Sequence, residues 1–148
     1  MLRHFVPVAV LASLAVAPLT AQTAGDREGV QRAALDYIEG FYEGDTVKIV
    51  RSVHPDVVKY GYYKKRGESG YTGEAMPWSE FLSYTKRVKA SGKPAPANAP
   101  KEVVVLDLAD QAAAAKVTAW WGIDYLHLAK YDGKWMITHV LWQSPPPK

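Results

Sequence analysis

The sequence predicts an α+β fold in which a cone-shaped, curved antiparallel sheet wraps around N-terminal helices. Three observations predict it. Apolar residues recur at helical spacing over residues 26–43. The C-terminal third is rich in β-branched and aromatic residues and is broken by one turn pair, Asp132-Gly133. Between these stretches lie a short strand pair and a helix opened by Pro77. With 148 residues there is room for one domain, and with no cysteine its stability must come from an ordinary core.

The first helix, 26–43, carries Val30, Ala33, Ala34, Tyr37, Ile38, Phe41 and Tyr42 as its buried stripe. Asp26 is its expected N-cap and Gly44 its stop. Asp36, Glu39 and Glu43 fall on the opposite, wet face, and Gly40 leaves room for a neighbouring element. Asp45 then caps a short helix, Thr46–Ser52, with Val47 and Val50 turned inward. Pro55 ends the helical tendency, and 57–63 form a first strand. A turn over 66–70 leads to a short return strand at Tyr71-Thr72. Trp78, Phe81, Leu82, Thr85 and Val88 make the stripe of the third helix. Residues 91–100 form a proline-rich loop, and strands follow over 102–109, 112–130 and 134–142.

Registers follow from the turns. Asp132-Gly133 in a type I′ turn sets Tyr131 opposite Lys134, Leu128 opposite Ile137, Leu126 opposite His139 and Asp124 opposite Leu141. A two-residue turn at Asp110-Gln111 puts Val104, Leu106 and Leu108 on one face with Val117, Ala119 and Trp121. Strict alternation along the long strand would then turn Asp124, Leu126 and Leu128 outward. A bulge at Gly122 brings them back inside, because one extra residue flips every side chain downstream.

Residues 1–24 have the pattern of a cleaved secretory signal. Arg3 and His4 precede an apolar run over 5–17 and a small-residue exit, with cleavage expected after Ala21. The domain then spans 25–143 and an extended tail 144–148, in a periplasmic or secreted protein without stable membrane insertion after cleavage. The net charge of +3 is locally mixed. Its one basic run, Lys64-Lys65-Arg66, is followed by Glu68, which argues against nucleic acid as a partner. Scattered histidines without ligand spacing argue against a metal, and no cofactor motif is present.

Residues 34–45 (ALDYIEGFYEGD), His54-Pro55, Val105-Leu106-Asp107, 124–130 (DYLHLAK) and Asp132-Gly133-Lys134-Trp135 carry a resemblance. The chain resembles the nuclear transport factor 2-like superfamily, of cystatin-like fold, and within it the bacterial family described as "putative lumazine-binding". The resemblance implies a pocket between sheet and helices and frequent pairing of two copies through the sheet. It leaves function open, because one fold hosts many activities.

The expected lining of that pocket is Tyr37, Phe41, His54, Tyr60, Tyr62, Trp78, Trp121, Asp124 and His139. Aromatic walls with a few polar groups suit a small organic ligand, and they equally suit a core. Asp124 and His139 are expected as diagonal neighbours roughly 7–8 Å apart at the backbone. Such a pair is either structural or a proton-transfer dyad of the kind polyketide cyclases and ketosteroid isomerases suggest. Three readings follow: a small-ligand-binding protein without catalysis of its own, an enzyme using Asp124 and His139, and a dimeric interaction module using the sheet.

Overall fold

The computed structural model describes residues 19–145, with side chains from Ala24 onward. The predicted signal segment therefore lies mostly outside the described residues, as does the end of the tail. Helix α1 runs over Leu19–Glu43, α2 over Thr46–Ser52, and α3 over Trp78–Ser91. The strands are β1 (Val53–Tyr63), β2 (Thr72–Ala75), β3 (Lys101–Leu108), β4 (Ala112–Ala119), β5 (Gly122–Tyr131) and β6 (Lys134–Gln143). They form one curved, unclosed sheet in the order β2-β1-β6-β5-β4-β3. Every pairing is antiparallel except β1 with β6, which is parallel.

The apolar stripe of α1 lies on the concave face. Val30, Ala34, Tyr37, Ile38 and Phe41 pack there with Val117, Leu126, Leu128 and Ile137. Phe81 and Thr85 of α3 close the core from the other side. Each large apolar side chain buried in this way contributes roughly 1.5–3 kcal/mol. Asp45 caps α2 as expected, its Oδ1 accepting from the N–H groups of Val47 and Lys48 at 2.9 and 3.3 Å. Gly44 ends α1 at φ +69°. Gly40 leaves the space filled by the Ile49 side chain.

Several expectations are corrected. α1 begins at Leu19, so Asp26 is no cap; its Oδ1 accepts from Lys130 Nζ (2.6 Å) and Trp135 Nε1 (3.1 Å). Asp36 and Glu39 are not on a wet face. Asp36 is buried and gripped by Arg51 through two bonds of 2.5 and 2.6 Å. Glu39 accepts from Lys48 at 2.9 Å and from Lys101 at 3.0 Å. Val47 and Val50 are exposed, and Ile49 and Ser52 fill the buried positions of α2.

The expected long strand over 112–130 is two strands. Trp120-Trp121 makes a tight turn between β4 and β5, with Ala119 paired to Gly122. Gly122 is thus the first residue of a returning strand, not a bulge. Its φ is +133°, and a Cβ there would sit 2.0 Å from the Gln143 carbonyl oxygen. The Asp110-Gln111 turn forms, but the register shifts between Val105 and Asp107. Leu106 is the residue left unpaired there. Val103, Val105 and Leu108 consequently turn inward, leaving Val104 and Leu106 exposed.

The last hairpin has the type I′ signature, φ +49° at Asp132 and +76° at Gly133, and it pairs Tyr131 with Lys134 and Leu128 with Ile137. One residue further on, a bulge at Thr138 sets His127 opposite His139. Beyond it Val140 and Trp142 face inward, while His139 and Leu141 face out.

Candidate functional site

Beneath the open end of the cone, a chain of hydrogen bonds joins α1, β1 and β5. Lys59 Nζ donates to the Tyr37 hydroxyl at 2.7 Å. That hydroxyl donates in turn to Asp124 Oδ2 at 2.7 Å. The Trp121 indole N–H donates to Asp124 Oδ1 at 2.9 Å. Tyr37 and Asp124 are fully buried, and Lys59 is only 8% exposed.

This arrangement is an ammonium and a carboxylate separated by one neutral hydroxyl. Burial penalises both charges. It pushes Lys59 down to about 8, although the carboxylate of Asp124 works the other way. It pushes Asp124 up, against the opposing pull of Lys59 and of the two donors on its oxygens. Tyr37 is raised well above its ordinary value, first by burial and then by the neighbouring carboxylate, so it stays protonated. The rings of Tyr37, Phe41 and Phe81 stand 5.0–5.2 Å from the Lys59 ammonium.

Above Lys59 lies a cavity of about 310 Å³. Its walls are apolar and mostly aromatic: Phe41, Met76, Tyr84, Trp120, Trp121 and Trp142. Lys59, Tyr63, Glu74 and Glu80 supply its polar groups. Glu80 is paired with Arg87. Gly61 makes room for one wall, because a Cβ there would collide with the Trp142 indole. A wider cleft of about 740 Å³ lies beside Asp26, Arg32, Asp36 and Arg51. Its charges are already engaged in ion pairs, which leaves it without a free anchoring group at those four positions.

Of the residues expected at the site, Phe41 and Trp121 line the cavity, and Tyr37 and Asp124 lie directly under it. His139 does not join Asp124. It stands exposed on the outer face beside His127, with ring centroids 6.1 Å apart, because the Thr138 bulge reversed its direction. The expected Asp124–His139 dyad therefore does not exist. Tyr60 and Tyr62 also project from the outer face, since β1 turns Val57, Lys59 and Gly61 inward. His54 is stacked on Tyr131 at 4.5 Å and accepts from the Asp56 N–H, away from the cavity. Trp78 packs on Phe81 at 5.8 Å outside the cavity lining.

Lys59 is the polar centre that sequence reasoning missed. In Val57-Val58-Lys59-Tyr60-Gly61-Tyr62-Tyr63 the more apolar alternation belongs to the outer face. The usable signal was Gly61, a strand glycine marking a large side chain crossing above it. Among the described residues, no three acidic, histidine or cysteine side chains gather as a metal ion would require.

The model of a family described as "Putative lumazine-binding" matches residues 25–143. No curated protein matches the chain. Solved structures are similar in fold. A nuclear transport factor 2-like protein of unknown function from Shewanella baltica OS155 superposes with a TM-score of 0.65 at 16% identity, over 84% of this chain and 97% of that one. One from Methylobacillus flagellatus KT gives 0.62 at 20% identity, over 82% and 94%. A cystatin-like domain of unknown function from Nostoc punctiforme PCC 73102 gives 0.57 at 11% identity, over 84% and 80%.

Proposed function

The chain belongs to the family described as "Putative lumazine-binding", and from that membership we propose that it holds a small organic molecule in the cavity above Lys59. One observation carries the reading: a buried ammonium with a single hydrogen-bond partner among the described residues faces a space walled by aromatic rings. An ordinary core would fill that space, and an ordinary lysine would reach water. Aromatic walls favour a flat ring system, and Lys59 can donate to an oxygen on it. The volume lies at the lower end of the range for small-molecule pockets, roughly 300–1,000 Å³.

The cavity wall contains its own reporters, Trp120, Trp121 and Trp142. Titration with flat aromatic compounds should quench tryptophan fluorescence saturably in the unaltered protein. In Met76→Trp, which fills the cavity, the saturable component should be lost. Linear, unsaturable quenching across such compounds would reject the reading.

We also propose export and self-association. Export rests on the signal pattern over 1–24, and amino-terminal sequencing of periplasmic material should begin between Gln22 and Asp26. Self-association through the sheet rests on an exposed row across the outer face, Tyr60–Leu141–Tyr125, each about half exposed. Sedimentation showing only monomer at high concentration would remove it.

A further inference from the structure

We propose that Lys59 is a covalent site, whose ε-amine condenses with the carbonyl carbon of a flat aromatic aldehyde or ketone held in the cavity. The inference rests on the ligand-binding reading above and names the class of ligand.

Three features of the geometry support it. The amine stands at the cavity floor, the position from which it can meet a carbonyl on a ring inserted between the aromatic walls. Among the described residues its one hydrogen-bond partner is the Tyr37 hydroxyl, which engages one of its three N–H positions. The third feature is a way for the proton to leave. An ammonium cannot attack a carbonyl; it must first become an amine. Lys59 can pass a proton to the Tyr37 oxygen while Tyr37 passes its own to Asp124 Oδ2, both across 2.7 Å. The shift turns a buried ion pair into a neutral amine and a neutral carboxylic acid. Burial favours that direction at both ends, lowering Lys59 and raising Asp124.

The condensation balances without an oxidant. The amine nitrogen bonds to the carbonyl carbon, the C=O π electrons go to oxygen, and that oxygen takes a proton to give a carbinolamine. The nitrogen loses its remaining extra proton, the C–O bond breaks with protonation of the departing hydroxyl, and water leaves as the C=N bond forms. The net change is one carbonyl, one primary amine and the proton held on Asp124 giving one protonated imine, one water and the Asp124 carboxylate. Protonated Asp124, acting through Tyr37, is placed to return the proton that the departing oxygen needs.

The test uses 2-naphthaldehyde with sodium cyanoborohydride, which fixes an imine as a stable secondary amine. The purified protein is labelled near pH 7.5 and digested, and each lysine is quantified by mass spectrometry. Lys59 should be labelled about tenfold or more faster than any other lysine, because the cavity holds the aldehyde against its amine and burial favours the neutral, nucleophilic form there. Tyr37→Phe, which keeps the ring and removes the relay, should slow labelling at Lys59 selectively. Binding of 2-naphthalenemethanol, which has the same ring and no carbonyl, is followed in parallel by equilibrium dialysis. Even labelling across the lysines with the alcohol still bound would overturn the covalent site and leave the binding reading standing. Even labelling with no binding of the alcohol would overturn both. Selective labelling of Lys59 that is unaffected by Tyr37→Phe would overturn the relay.

Discussion

A lysine that titrates at about 8 in the fold and near 10.5 in the unfolded chain makes stability depend on alkaline pH. Between those values the unfolded chain binds more protons than the native one, so unfolding free energy rises with pH. Below the lower value Lys59 is charged in both states, and its burial is a standing cost to the fold. Lys59→Met removes this dependence. Urea midpoints of the unaltered protein should therefore gain on those of Lys59→Met between pH 8 and pH 10, and a constant difference would show that Lys59 is not desolvated as described. The same residue marks the limit of what the sequence disclosed. Tyr37, Phe41 and Trp121 were legible from helical spacing and aromatic content, and Asp124 from the rule that a carboxylate on an apolar strand needs partners. Lys59 was not, because the more apolar alternation of β1, Val58, Tyr60 and Tyr62, lies on its outer face. A strand lining a cavity has no need to turn its most apolar side inward.

At the scale of elements, turn chemistry is readable in the sequence and β-bulges are not. Asp132-Gly133 announces its hairpin through two residues that tolerate positive φ, and the helices follow from their stripes and from Asp45. Trp120-Trp121 carries no such signal, so β4 and β5 read as one strand. The bulges at Leu106 and Thr138 each cost the reading one residue of register, which moved His139 across the sheet. Gly122, by contrast, is required twice over, by its φ of +133° and by the approach of the Gln143 carbonyl. Gly122→Ala should destabilise by roughly 2–4 kcal/mol, because backbone strain adds to a clash with main chain that cannot rotate away. A midpoint shift of less than about 0.5 kcal/mol would mean the turn relaxes. Gly61→Ala makes a different prediction. The atom it would displace is the Trp142 indole, a side chain forming one cavity wall. The fold should survive with a smaller cavity, and ligand-induced quenching should weaken more than the urea midpoint falls.

Across the whole molecule, Glu39 ties α1 to α2 and β3 through Lys48 and Lys101. Burial alone would raise its carboxyl, but the hydrogen bonds from Lys48 and Lys101, with help from Arg32, hold it at about 2 against a usual 4.5. This depressed value contributes stability above pH 4.5 that is lost as pH falls toward 2. Glu39→Gln should flatten the acid limb of thermal denaturation between those values and lower stability at neutral pH. An unchanged acid limb would assign acid sensitivity elsewhere. A last consequence lies in the strand order. β6, the last in chain order of the six described strands, occupies the middle of the sheet, between β5 and the parallel β1 from near the domain's beginning. No ribosome-bound fragment lacking its C-terminal segment can close that seam. The polypeptide must extend through β6 before its cooperative folding step, a high-contact-order event slower than local hairpin closure. Until then the nascent strand edges remain open to chaperones or to one another.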